Sequence, residues 1–188
     1  MPLLMLLGLA VLAIALVAGM YNGLVGLRNR AAAAWSDIAV QLKRRHDLVG
    51  NLIETVKGYA KHEQQTLEKV IEARGRAMGA AGEGGPRAAG QAENLLTSQL
   101  RSVFALAEAY PDLKANQGFQ SLQQSLESLE TEIQNARRYY NAVVRDFNTK
   151  IQSVPDAFVA GMFGFKERDY FELTDPAESQ VPKVQFQE

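Results

Sequence analysis

The chain has 188 residues, of which 47% are hydrophobic and 22% charged, with a net charge of −1 and no cysteine. Acids and bases are mixed along it, so no basic field attracts nucleic acid, and no aromatic platform for stacking bases is present. The missing thiols exclude disulfides and a cysteine nucleophile.

Residues 1–27 carry no charged side chain. Within them, residues 3–20 (LLMLLGLAVLAIALVAGM) are long enough to cross a bilayer. About 20 apolar helical residues, rising ~1.5 Å each, span a hydrocarbon core of ~30 Å. Tyr21 and Asn22 then mark an interface. A cleaved signal peptide wants a basic leader and a shorter apolar run, and the small-x-small site from Ala13 to Ala15 falls inside this run. Residues 1–27 are therefore expected to be a retained transmembrane segment in contact with lipid. Arg28, Arg30, Lys43, Arg44 and Arg45 follow the span, with Asp37 as the acid among them. The positive-inside rule then places the N-terminus outside and the larger part in the cytoplasm, as a single-pass protein.

Beyond the span, what remains suits one domain with a modest core. From Trp35 the apolar residues recur at helical spacing: Trp35, Ile38, Leu42, then Val49, Leu52, Val56 and Tyr59. This predicts one helix from the membrane to about Met78, with a break at Gly58 as the alternative. Arg45 and Glu63 fall on the apolar seam. Each either snorkels to solvent along its own stem or joins a buried polar network that fixes helix register. In the second case Arg45→Met should cost little, and Arg45→Ala about 3 kcal/mol or more.

Residues 79–90 (GAAGEGGPRAAG) read as a flexible loop. No Lys-Ser or Lys-Thr follows, so this is not a phosphate loop. A second helix is predicted over about 91–109, ended by Tyr110-Pro111-Asp112. A third runs from about Gln117 to Val154 on Phe119, Leu122, Leu126, Leu129, Ile133, Ala136, Tyr140, Val143 and Phe147. Its three-four spacing makes it a coiled-coil-like partner for the first helix. Pro155 stops it and can open a short helix through the apolar run 157–165. With an unbroken first helix this run lies at the end away from the membrane, whereas a break at Gly58 returns it to the bilayer surface. Residues 166–188 read as an extended tail.

Little here suggests catalysis. His46 and His62 are roughly 24 Å apart on one helix, too far to share a metal. His62-Glu63 begins like a zinc-protease motif, but Thr66 stands where its second His belongs. No serine sits in a nucleophile elbow. No catalytic, metal or cofactor residues are assigned, and no cofactor is expected.

The strings Ala34-Trp35, Gln41-Leu42-Lys43-Arg44-Arg45-His46-Asp47-Leu48 and Glu54-Thr55-Val56-Lys57-Gly58-Tyr59 resemble the LemA family. So do His62-Glu63, Glu108-Ala109-Tyr110-Pro111-Asp112-Leu113-Lys114-Ala115-Asn116, Ala136-Arg137-Arg138-Tyr139-Tyr140-Asn141, Phe147-Asn148 and Tyr170-Phe171-Glu172. The resemblance implies an all-α, membrane-anchored, up-and-down four-helix bundle over residues 28–165, with an external N-terminus and no established catalytic activity. It suggests work on membranes rather than on small molecules.

The leading functional expectation is a membrane-tethered, non-enzymatic structural or interaction protein that forms homo-oligomers. Its alternative is a single-span ligand-sensing or signalling bundle acting through a partner protein. The residues singled out as a structural polar signature are Arg45, His46, Asp47, Tyr59, His62, Glu63, Arg137, Arg138 and Asn141. Those singled out as an oligomer contact are Phe158, Val159, Met162, Phe163 and Phe165, because exposed apolar surface marks contacts.

Overall fold

The computed structural model describes residues 1–60 and 62–173. Among the described residues every regular element is a helix, in the order α1 (Pro2–Tyr59), α2 (Gln64–Glu83), α3 (Gly85–Ala107), α4 (Pro111–Lys114), α5 (Gln117–Gln152) and α6 (Asp156–Met162). The tail beyond residue 173 lies outside the described residues.

Two boundaries differ from the sequence reading. The first helix ends at Tyr59, and a new one begins at Gln64. The physical reason is the polar run Lys-His-Glu-Gln-Gln-Thr at 61–66, which offers nothing apolar to pack and follows Gly58, a weak helix former. Reversing there lets Leu67, Val70, Ala73 and Ala77 of α2 join one core with Val49, Leu52 and Val56 of α1. The glycine-rich stretch expected to loop is helical on both sides of a tight reversal at Gly84. Its alanines favour helix, Gly85 supplies the positive φ of 71° that the reversal needs, and Pro86 stands in the first turn of α3, where its missing N–H costs nothing.

The described residues divide into two compact units, and α1 and α5 contribute to both. In the unit formed by residues 43–128 with 171–173, the core joins residues of α1, α2, α3, α4 and α5. Leu96, Leu100, Val103 and Ala107 of α3, Leu113 of α4, and Phe119 and Leu126 of α5 pack with the α1 and α2 residues named above. Burying each such Leu or Val contributes about 1.5–3 kcal/mol. Asn116 caps α5, its Oδ1 accepting the Phe119 N–H at 3.0 Å.

The other unit comprises residues 1–42 and 129–170. Here α1 buries Leu24, Ala31, Ala34, Ile38 and Leu42, while α5 buries Leu129, Ile133, Tyr140, Val143, Val144 and Phe147. Trp35 meets Tyr140 with ring centroids 5.7 Å apart, and Lys150 lies against Gly23. Rising numbers on α1 therefore meet falling numbers on α5, so the two run antiparallel in this unit. α6 folds back beside residues 17–24 of α1: Val159 and Ala160 are buried with Leu24, flanked by Val17, Met20 and Tyr21. This is the placement that a broken first helix entails.

Gly164, at φ 70°, then turns the chain back along α5. The Asn148 side chain bonds both ways with the Arg168 backbone, donating to its carbonyl and accepting its N–H, each at 2.9 Å. Gln152 reaches Glu167 at 2.6 Å, and the Tyr140 hydroxyl donates to the Asp169 carbonyl at 2.9 Å.

Candidate functional site

The most concentrated polar chemistry lies inside the unit of residues 43–128. α3 buries Gly90, Glu93, Leu96, Leu100, Val103 and Ala107, so Glu93 holds a seam position that the helical period would give to an apolar residue. Its side chain has no exposed surface. Arg45 and His46, adjacent on α1, both reach it: Arg45 Nη1 donates to Oε2 at 3.1 Å, and His46 Nε2 lies 2.6 Å from Oε1. A carboxylate ionised for a permanently charged Arg can only accept, so the hydrogen of that second bond belongs to the imidazole.

Two more residues join the network. Arg45 Nη2 donates to Thr97 Oγ1 at 2.8 Å, and that hydroxyl donates back to the Glu93 carbonyl at 2.9 Å. From α2, Arg74 Nε donates to the His46 carbonyl at 2.6 Å, its guanidinium lying where a side chain on Gly50 would stand. Together these bonds tie α1, α2 and α3 in one register. Arg45 and His46 are only 5% and 4% exposed, so the cluster is closed to any substrate and acts as a clamp between helices.

Arg45 therefore does not snorkel. The sequence reading passes over its partner Glu93 because it counts both Leu95 and Leu96 into the apolar face, whereas Leu95 is exposed and Glu93 lies one turn before Leu96 on the seam of Leu96, Leu100, Val103 and Ala107.

The remaining signature residues are dispersed. Asp47 is exposed and pairs with Lys43 at 3.2 Å, a surface pair worth well under about 1 kcal/mol. Tyr59 accepts from Asn116 Nδ2 at 2.8 Å, and Glu63 accepts from the Tyr110 hydroxyl at 3.2 Å. Desolvation pushes the Tyr110 phenol above its usual range, and the bond to Glu63 and its charge push the same way. His62 is exposed. Arg137, Arg138 and Asn141 belong to the other unit, where Arg138 reaches Asn135. Among the described residues no group of three His, Cys, Asp or Glu could hold a metal ion.

The segment read as an oligomer contact divides by exposure. Val159 is buried, whereas Phe158, Met162 and Phe163 are 73%, 74% and 52% exposed. Phe165 is half-buried, with the Arg28 guanidinium 5.5 Å from its ring centroid.

The profile of the LemA family matches residues 34–186. The chain belongs to the LemA family. The LemA match takes in all five network residues, and the apolar start of α1 precedes it. Among similar proteins, Magnetosome protein MamQ 2 of Paramagnetospirillum magneticum is 26% identical over 192 residues, covering 89% of this chain and 71% of that protein. Magnetosome protein MamQ of Magnetospirillum gryphiswaldense is 26% identical over 194 residues with the same coverage. Protein LemA of Metamycoplasma hominis is 28% identical over 137 residues, covering 71% of this chain and 60% of that protein. None of these names is that of an enzyme.

Proposed function

We propose that this LemA-family protein is a membrane-anchored, non-enzymatic structural protein that self-assembles at the bacterial inner membrane and takes part in membrane organisation. One observation carries the reading: α1 is long and apolar enough to cross a membrane, and its apolar window is wholly unburied. Leu3, Leu4, Met5, Leu6, Leu7, Leu9, Val11, Leu12, Ile14 and Leu16 are each more than half exposed. Left in water, these side chains would forgo on the order of 20 kcal/mol of apolar transfer energy, which lipid supplies. The helices beyond are proposed to form an up-and-down four-helix bundle in the cytoplasm, an orientation supported by Arg28, Arg30, Lys43 and Arg44.

Self-assembly is supported by the span itself. Ala15 and Gly19 form a small-x-x-x-small pair with nothing within 4 Å of where a Cβ on Gly19 would stand, the kind of surface through which single spans approach one another. The membrane-organising role draws on the MamQ relatives, which are magnetosome proteins by name.

The test uses the full-length protein in cells. It should remain in the membrane fraction after an alkaline carbonate wash, and cysteines introduced by Gly82→Cys and Ser128→Cys should react with an impermeant thiol reagent only after lysis. Release by carbonate contradicts the anchor, and labelling in intact cells contradicts the orientation.

A further inference from the structure

Between α6 and the apolar start of α1 runs a groove of about 460 Å³, lined by Ala13, Ile14, Val17, Ala18, Tyr21, Asn22, Met162 and Phe163. Its α1 wall belongs to the stretch that faces lipid if α1 spans the membrane. Arg28, the first charged side chain, stands about 16 Å further along the helix axis than Val17. Met162 and Phe163 therefore sit deeper than the charged boundary of the chain, alongside apolar residues of the proposed span.

The composition of α6 fits that depth. No charged side chain occurs from 157 to 165, and the flanking Asp156 is paired with Lys150 at 3.2 Å. Val159 and Ala160 are turned in against Leu24, leaving Phe158 and Met162 on the outer face with almost three quarters of their surface free. Tyr21 meets Phe163 at a tilt with centroids 4.7 Å apart, and Phe165 edge-on at 5.8 Å. These rings fix the hairpin to the helix at the level where aromatic side chains of membrane proteins gather. The apolar face of an interfacial helix lies ~5–10 Å into the boundary between headgroups and acyl chains.

We propose that α6 and Phe163 form a second membrane-inserted element, lying in the leaflet through which α1 leaves the bilayer, with a lipid acyl chain occupying the groove beside Ile14 and Val17. The inference rests on α1 being a span. It makes the protein an asymmetric wedge, because α6 adds volume to one leaflet only. Continuity of the groove with the lipid-facing side of α1 is what selects lipid over a second copy of the chain as its occupant.

The chain has no native cysteine, so single labels are clean. Full-length Met162→Cys, Ile14→Cys and Ser128→Cys variants would each carry an environment-sensitive fluorophore in phosphatidylcholine–phosphatidylglycerol vesicles with nitroxide groups on the acyl chains. Labels at 14 and 162 should both lose fluorescence to acyl-chain nitroxides, and the label at 128 should keep it. Quenching at 14 without quenching at 162 overturns the inserted helix while leaving the span intact. Absence of quenching at both overturns the span as well. Loss at 162 that depends on labelled-protein density and not on nitroxide would mean that a second copy covers the groove, which also overturns the proposal.

Discussion

The imidazole Nε2 of His46 stands 2.6 Å from a carboxylate oxygen of Glu93, and Glu93 has no surface in contact with solvent. Arg45 holds the other oxygen of the same carboxylate at 3.1 Å. Two neighbouring residues of α1 thus share one buried acid of α3. Their energetics are those of a unit: removing one member strands the others in a low-dielectric interior.

Glu93→Ala should therefore cost about 3–5 kcal/mol, because it leaves the Arg45 charge buried and unmatched by the acid. Arg45→Met, expected to cost little if Arg45 joins a register-fixing network, should instead be costly, since the partner it strands is a fully buried carboxylate. Removing both charges, by Arg45→Met with Glu93→Leu, should cost less than either single change. Urea unfolding of the detergent-solubilised variants measures this, and additive costs would show that the two residues do not act together.

The Tyr140 phenol is held above its usual range, chiefly by burial, with Asp169 adding to the rise and Arg168 opposing it. In the unfolded chain a tyrosine ionises near pH ~10. Above that pH the folded state retains a proton that the unfolded state has lost, so stability is full below about pH 10 and falls as pH rises through the folded value. Tyr140→Phe should reduce this alkaline loss and, through the missing bond to Asp169, cost about 1 kcal/mol at neutral pH. Unfolding midpoints taken from neutral to alkaline pH compare the two proteins.

A Cβ at Gly90 would lie 2.5 Å from the Glu172 carbonyl oxygen, a backbone atom that cannot swing aside. Gly90→Ala should displace the segment carrying the buried Phe171 and Leu173 from α3. Limited proteolysis should then cut near residues 170–173 faster than in the parent protein, whereas an unchanged cleavage rate would mean the segment tolerates the methyl group.

Gly79 poses the opposite case. It lies inside α2 with nothing within 4 Å of a Cβ built there. Gly79→Ala should stabilise the protein by up to about 1 kcal/mol if this stretch is helix, and leave the melting temperature unchanged if it is a loop.

How much of this was legible depended on where apolar spacing was dense. The α5 seam from Phe119 to Phe147 could be read directly, because its apolar residues recur without a gap. The end of α1 could not, since the three-four phase passes through Gly58 and the absence of packing groups at 61–66 is a weaker signal than their presence. Glu93 is hidden because exposed Leu95 counts with Leu96 toward the apolar face and shifts its centre off the buried seam. Composition argued that the glycines before Glu93 form a loop, when their alanine neighbours and tertiary packing carry the helix through. Once the first helix reverses after Tyr59, the neighbours of α6 change, and a segment whose exposed rings suggested a protein contact lies beside the apolar start of α1.

The proposed function requires this LemA-family protein to act by assembling. The mass of the full-length protein, extracted in mild detergent and measured by size-exclusion chromatography with light scattering, tests it most directly. A discrete species of several copies that shrinks on Gly19→Ile is the predicted result, and a monomer at every concentration would contradict it.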